Sequence, residues 1–217
     1  MPLRLFFTQA WSAWHHHSGW MAWNLFLAFI PLVLSVWLFR KSLRSRSILW
    51  WLGLLVFIAF LPNAPYLLTD IIHLIDAIRS NYSVWIVTLV LIPQHLSVIL
   101  IGFEAYVISV INIGYYLQQQ GMRKFVLMTE LITHALCAVG IYLGRFKRYN
   151  SWDFVTQPED IVQTIVDDLT AKRPLMVMVI TFVILTILYW LMKQVTLGVI
   201  IKFKYKKMVR QSTSENS

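Results

Sequence analysis

Two polar blocks interrupt an otherwise apolar chain, and they contain the residue types that could do chemistry. The first, LPNAPYLLTDIIHL, covers residues 61–74, and the second, GRFKRYNSWD, covers 144–153. Within the first block, Asp70 and His73 are three residues apart and would share one face of a helix. Such a pair can chelate a metal ion, or the carboxylate can orient the histidine as a general base. Asp70 and His73 are therefore candidate catalytic residues and candidate metal ligands, with a hydrated polar pair at a membrane edge as the alternative.

The second block contains two arginines at the same spacing. Arg145 and Arg148 follow an apolar run, and paired guanidinium groups there suit a phosphate or a carboxylate. The anion can come from a lipid headgroup or from Asp70 itself, and both alternatives stay open. Asn150 is a further binding candidate in the polar turn that follows, and Asp153 is a third catalytic candidate.

Prolines disturb the helix that contains the first block. Pro62 and Pro65 lack a backbone N–H and clash with the carbonyl four residues earlier, so the helix should kink or unwind near Asn63. The Asn63 side chain can donate two hydrogen bonds to the carbonyls that are freed. Unwound backbone of this kind lines binding cavities in transporters, although a simple proline kink is also common. Asn63 and Tyr66 are the binding candidates here.

Four ionisable residues fall inside apolar segments. They are His95, Glu104, Glu130 and His134. Each charge placed at mid-membrane costs about 2.5–3.5 kcal/mol on the insertion scale, so such residues usually face the bundle and have partners. A line of groups that relays protons is one interpretation. The other is a neutral hydrogen-bonded network that fixes helix packing.

The elements that position these residues are membrane-spanning helices. Of the 217 residues, 58% are hydrophobic and 13% are charged, which excludes an ordinary soluble domain. A span needs about 20 mostly apolar residues. Five segments meet that length, and they cover residues 20–39, 48–68, 83–116, 125–143 and 174–192. The sequence therefore predicts an all-α, polytopic transmembrane bundle of about five spans.

Other segments flank or connect the spans. Residues 1–19 form an aromatic interfacial segment, 20–192 the transmembrane domain, and 193–217 a basic tail. Between spans four and five, Pro158 followed by Glu159 and Asp160 is typical of a helix start. Apolar residues then recur at helical spacing, which predicts a short amphipathic helix on the outer surface.

Charge distribution predicts the orientation. The connections after spans one and three and the tail are basic, with Glu215 as their only acid, while the opposite connections balance bases and acids. The N-terminus should therefore lie outside and the C-terminus in the cytoplasm. This asymmetry also accounts for the net charge of +9, so no nucleic-acid partner is expected.

Both polar blocks resemble the signatures of an uncharacterised family of bacterial integral membrane proteins, a domain family of unknown function. The matching patterns are PNAPYxxTDxxH and GRFxRxNSWD, and the resemblance extends from about residue 23 to 192. It implies a multi-pass protein of the bacterial plasma membrane. It also marks as family positions Pro62, Asn63, Ala64, Pro65, Tyr66, Thr69, Asp70, His73, Gly144, Arg145, Arg148, Asn150, Ser151, Trp152 and Asp153.

We expect an integral membrane protein whose outward-facing polar site binds a phosphate-bearing lipid or an envelope precursor. The chain has no HExxH, GxSxG or glycine-rich phosphate loop, so the sequence leaves enzymatic activity undecided and assigns no cofactor. A small transporter or proton-coupled component is one alternative, and a non-enzymatic scaffold is another. The expected partners are the bilayer, an anionic lipid headgroup and, as a further alternative, a second copy of the chain.

Overall fold

The fold is a bundle of long helices. A computed structural model of the chain describes residues 3–41, 46–80 and 82–215, and in this part all regular structure is helical. Five helical regions of the described chain are long and apolar enough to cross a membrane. They are Leu3–Arg40, Ile48–Arg79, Val84–Gln119, Arg123–Lys147 and Lys172–Met208. The predicted all-α bundle of about five spans is confirmed.

The first region is a single helix, α1 (Leu3–Arg40), which runs without interruption through residue 20. The described part of the predicted interfacial segment, from residue 3 to 19, therefore belongs to the same helix as the first span. The most extensive helix contact in the bundle is between α1 and the third-region helix α6 (Ile92–Gln119), and α1 also packs against α2 (Ile48–Phe60).

The second region is broken where the prolines predict a break. After α2, the chain forms a short helix, α3 (Asn63–Tyr66), a 3-10 turn (Leu67–Asp70) and then α4 (Ile71–Arg79). The Asn63 side-chain amide donates to the Phe60 carbonyl oxygen at 3.0 Å. The asparagine therefore satisfies a carbonyl at the end of α2, where the regular bonding pattern stops.

Irregular turns also occur in the third and fourth regions. The third begins with α5 (Val84–Ile86) and a π-helical turn (Val87–Leu91), which precedes α6 and its Pro93. The fourth consists of a 3-10 turn (Arg123–Phe125), α7 (Val126–Tyr142) and a π-helical turn (Leu143–Lys147). π-Helical turns often mark functional positions, and the last one leads directly into the second polar block.

The chain then forms α8 (Asp153–Thr156), α9 (Pro158–Thr170) and α10 (Lys172–Glu215). The predicted amphipathic helix is confirmed as α9, which begins at the predicted proline. Its Ile161 is buried, while Val162 and Val166 are exposed. The Lys147 ammonium lies 2.9 Å from an Asp168 carboxylate oxygen and fastens α9 to the end of the fourth region.

The last helix continues past the predicted tail boundary at residue 193, and residues 216 and 217 lie outside the described part of the chain. It packs mainly against α7, with further contacts to α6 and α9. The central core brings together side chains from α1, α2, α6, α7 and α10, including Phe57, Tyr106 and Leu185. This core holds the helices whose ends carry the two polar blocks.

Candidate functional site

The break in the second region turns the first polar block towards the fourth. A Cβ atom at Gly140 would lie 2.6 Å from the Pro62 Cγ atom, and one at Gly144 would lie 3.3 Å from the Tyr66 ring. Both glycines therefore permit α7 and its π-helical turn to approach the broken segment closely, as small residues do between membrane helices. The two blocks, about 70–80 residues apart in sequence, lie in direct contact.

A buried ion pair connects the blocks. Asp70 is 2% exposed, and its Oδ1 atom lies 3.8 Å from Nη1 of Arg145. The same guanidinium donates to the Thr69 carbonyl oxygen at 2.9 Å and to the Tyr66 hydroxyl at 3.3 Å. From α1, the Asn24 amide donates to the other Asp70 oxygen at 3.3 Å. Arg145 is therefore occupied by the first block, which is one of the two alternatives that the sequence left open.

A second link joins the blocks through uncharged groups. The Asn63 amide, besides its bond to the Phe60 carbonyl, donates to the Ser151 hydroxyl at 2.7 Å. In the turn that follows, a single Asp153 oxygen accepts from the Asn150 backbone N–H at 2.6 Å and from its side-chain amide at 3.4 Å. Asp153, a predicted catalytic candidate, therefore holds the turn that presents Asn150 and Ser151.

Arg148 behaves differently from Arg145. Its backbone is left-handed, with φ 61° and ψ 27°, and it is the only non-glycine residue with positive φ in the described chain. On a regular helix, residues three apart share a face, but the π-helical turn and this left-handed residue separate the two arginines. Arg148 is exposed, and no carboxylate of the described residues forms an ion pair with it.

An open cleft of about 310 Å³ lies between the blocks and α1. Its polar lining comes from Asn24, Asn63, Arg148, Asn150 and Ser151, and its aromatic lining from Trp23, Tyr66, Tyr149 and Trp152. Among the described residues, the lining contains one cation and no carboxylate. The side chains that line the cleft therefore carry one positive charge, and their amide and hydroxyl groups can donate hydrogen bonds.

His73 lies beside the cleft rather than in its lining. Its Nε2 atom is 4.0 Å from Asp70 Oδ1, which is too long for a direct hydrogen bond. The imidazole is 44% exposed and packs against the Trp20 ring, with 4.8 Å between ring centroids. Nowhere in the described chain do three or more His, Cys, Asp or Glu side chains gather as they would around a metal ion. The metal site predicted at Asp70 and His73 stays a prediction.

Comparison with known proteins gives the chain a family. A family model described as a protein of unknown function, DUF1361, matches residues 23–187, roughly three quarters of the chain, and both polar blocks lie within this range. The chain belongs to the DUF1361 family. No curated protein and no solved structure matches it. The predicted membership in a domain family of unknown function is confirmed, and the family description assigns no activity.

The four intramembrane candidates of this DUF1361 member lie at three separate places among the described residues. Glu130 Oε1 accepts from the Tyr189 hydroxyl at 2.8 Å and from the Lys193 ammonium at 2.5 Å. His134 Nδ1 is hydrogen-bonded to the Tyr106 hydroxyl, and its ring lies 4.6 Å from that of Tyr189. Glu130 and His134 therefore belong to one cluster between α6, α7 and α10.

The other two candidates lie apart from that cluster. Glu104 Oε1 accepts from the Thr196 hydroxyl at 2.7 Å. His95 Nδ1 lies 2.8 Å from the Leu91 carbonyl oxygen, and its ring lies 5.4 Å from that of His17 on α1. The hydrogen bond of Glu104 joins α6 to α10, whereas that of His95 stays within its own helical region. None of the described contacts connects His95 with Glu104, Glu130 or His134.

Sequence reasoning did not select several residues that matter here. Asn24 lines the cleft and bonds Asp70, and a polar amide inside an apolar span is a signal that could have identified it. Lys193 falls just beyond the predicted end of span five, yet its ammonium contacts Glu130 inside the bundle. Tyr106 and Tyr189 carry no comparable signal, because aromatic residues occur throughout apolar spans.

Proposed function

We propose that the cleft binds a phosphate-bearing lipid headgroup, or an envelope precursor that carries one, at the outer face of a bacterial plasma membrane. The proposal rests on the charge of the lining, which includes Arg148 and, among the residues that the structure describes, no carboxylate. The volume of about 310 Å³ falls at the lower end of the range of about 300–1,000 Å³ for small-ligand sites. An anion is the ligand that such a lining favours.

The two arginines have different roles in this proposal. Arg145 fixes the wall through its contacts with Asp70, Thr69 and Tyr66, so its charge is already offset. Arg148 has no such partner among the described residues and can form a bidentate contact with phosphate oxygens. The amides of Asn63 and Asn150 would donate to the remaining oxygens.

The position of the cleft supports a lipid ligand. Trp23 and Trp152 line it and are 54% and 46% exposed, and tryptophan side chains favour the headgroup level of a bilayer. The excess of basic residues in the other connections supports an outer location, with the N-terminus outside and the C-terminus in the cytoplasm. A headgroup could therefore enter the cleft from the membrane surface.

Binding is better supported than turnover. None of the catalytic candidates Asp70, His73 and Asp153 lines the cleft, and Asp70 and Asp153 already hold the fold through the contacts described above. The transport alternative is also less well supported, because His95 is not connected with the Glu130–His134 cluster by the described contacts.

The scaffold alternative is favoured by one specific observation. The ion pair of Asp70 with Arg145 and the bond of Asn63 to Ser151 join the blocks without a ligand. In that case both blocks would serve as an internal clamp, and the cleft would bind nothing. Ligand retention separates the two candidate functions.

Native mass spectrometry of the full chain, gently extracted in detergent, is the test. The wild type should retain a phospholipid, and Arg148→Gln should lower its retention by about tenfold, because one charge-assisted bidentate contact is lost. Arg148→Lys, which keeps the charge, should retain more lipid than Arg148→Gln. Arg79→Gln is the matched control, since Arg79 is exposed and does not line the cleft.

Two results would refute the proposal. One is a wild-type protein that carries no phosphate-bearing lipid after extraction and acquires none when lipid is added. The other is equal retention in Arg148→Gln and Arg79→Gln. Either result would shift the assignment to the internal clamp.

A further inference from the structure

Whereas the cleft borders the middle of α1, a second cavity lies at the C-terminal end of α1, where α2 begins and α6 ends. Its volume is about 350 Å³. The cleft lining on α1 ends at Leu27 and the lining of the second cavity begins at Leu38, so roughly 16 Å of helix separates them. We call this cavity the basic pocket, after its three cationic lining residues, Arg40, Lys41 and Arg46.

The charges of the basic pocket are not balanced by its own lining. Within the described parts of the chain, no Asp or Glu lines the pocket, and none forms an ion pair with Arg40, Lys41 or Arg46. Like charges held around one cavity repel each other, and an anion inside it would offset that repulsion. The lining therefore favours an anionic occupant.

Buried polar side chains fix the position of Arg40. Its Nε atom donates to the Asn112 side-chain oxygen at 2.6 Å, and the Asn112 amide donates to the Ser35 hydroxyl at 2.9 Å. Asn112 and Ser35 are buried, and the Arg40 guanidinium lies 4.1 Å from the centroid of the Tyr115 ring. An arginine fixed through Nε presents its two Nη groups as a fork, which matches two oxygens of a phosphate.

Arg46 is positioned by aromatic rings. Its guanidinium lies 5.4 Å from the Trp50 ring centroid and 5.7 Å from that of Tyr116. Trp50 is 4% exposed, and its indole N–H donates to the Leu38 carbonyl oxygen at 3.2 Å. The Trp50 ring beside Arg46 is therefore buried and fixed by a hydrogen bond, and it limits where the guanidinium can lie.

We infer that the basic pocket binds the phosphate of an anionic ligand, with Arg40 and Arg46 as its principal contacts and Lys41 adding charge. The pocket lies at the ends of membrane-spanning helices, where basic cavities between helices bind anionic phospholipid headgroups. A soluble phosphate compound has the same recognition chemistry, and the experiment separates the two sources. The inference does not depend on the proposed function of the cleft, because the two cavities share no lining residue.

The test uses the full-length protein in mild detergent, titrated with phosphatidylglycerol or phosphatidylcholine and followed by native mass spectrometry. The wild type should prefer the anionic lipid, and Arg40→Gln combined with Arg46→Gln should weaken its binding by about tenfold. Lys202→Gln combined with Lys204→Gln removes the same charge from exposed positions of α10 and should change binding less than about twofold. Equal effects of the two double variants would overturn the inference.

Arg40 also bonds the buried Asn112, so the double variant can lose affinity because it folds poorly. A single variant separates loss of binding from loss of folding. Arg46→Gln removes only ring contacts among those described, so it should keep the wild-type unfolding transition. In a protein that folds normally, unchanged affinity of Arg46→Gln for phosphatidylglycerol would also overturn the inference.

Two further arms identify the source of the phosphate and separate this pocket from the cleft. Displacement of the lipid by millimolar inorganic phosphate would indicate a soluble ligand, and resistance to displacement would indicate a lipid headgroup. The Arg148→Gln variant should lose only the lipid bound at the cleft and keep the lipid that Arg40→Gln with Arg46→Gln loses. If Arg148→Gln alone abolished all binding of anionic lipid, there would be no second site.

Discussion

Removing Arg145 should destabilise the protein more than removing the charge of Asp70. In Arg145→Met, a carboxylate that is 2% exposed loses its cationic partner and keeps only the Asn24 hydrogen bond and the distant His73 imidazole. Breaking a buried pair in this way costs about 3–5 kcal/mol. In Asp70→Asn, the guanidinium is 16% exposed and keeps the Thr69 carbonyl and the Tyr66 hydroxyl, so the expected cost is about 1–2 kcal/mol.

The double variant tests the cause of this difference. With both changes present, no buried charge is left without a partner, so the cost should fall below the sum of the single costs by about 0.5–3 kcal/mol. The double variant should also be more stable than Arg145→Met alone. A difference of about 3 kcal/mol changes the unfolding equilibrium by more than about a hundredfold, which is easily measured.

The free energy of unfolding can be measured by titrating the protein in mixed micelles with sodium dodecyl sulfate and following the fluorescence of its 10 tryptophans. Arg148→Met and Asp76→Asn are matched controls at exposed positions without an ion-pair partner among the described residues, and each should stay within about 0.5 kcal/mol of wild type. The reasoning is refuted if Asp70→Asn costs as much as Arg145→Met, or if the two costs add without coupling.

Two other substitutions test helix packing in the same unfolding assay. Gly140→Ala should destabilise by about 1–3 kcal/mol, because its Cβ would lie 2.6 Å from Pro62, whereas Gly198→Ala has open space and should not destabilise. Lys193→Met should lower the free energy of unfolding by about 2–3 kcal/mol, because Glu130 loses its cation. The loss is smaller than for a fully buried ion pair because Lys193 is 24% exposed. A cost below about 1 kcal/mol, as for surface pairs, would contradict that role.

The spans could be predicted from the sequence because lipid imposes a length and a polarity on every helix that crosses it. The break near Asn63 was also predictable, since Pro62 and Pro65 each remove a donor and introduce a clash. The start of α9 at Pro158 followed from the missing N–H of proline, which costs nothing in the first helical turn. These features depend on local chemistry that is visible within a few residues.

The different surroundings of Arg145, which contacts the first block, and Arg148, which lines the cleft, could not be predicted in the same way. Their spacing places them on one helix face, and only the π-helical turn with the left-handed residue after it turns them apart. The partners of Glu130 depend on which face α10 presents, and Tyr189 and Lys193 are about 60 residues away in sequence. These contacts depend on how whole helices pack against each other, and the sequence pattern of one segment does not predict that packing.

The left-handed backbone of Arg148 has a consequence for engineering the protein. A residue with a Cβ atom at φ 61° costs about 1–2 kcal/mol relative to glycine, which adopts this conformation freely. Selection for thermal stability alone would therefore favour Arg148→Gly, and this change would remove the one cation that lines the cleft among the described residues. A chain optimised only for yield and heat resistance could fold better than the natural one and lack the arginine on which the proposed anion binding depends.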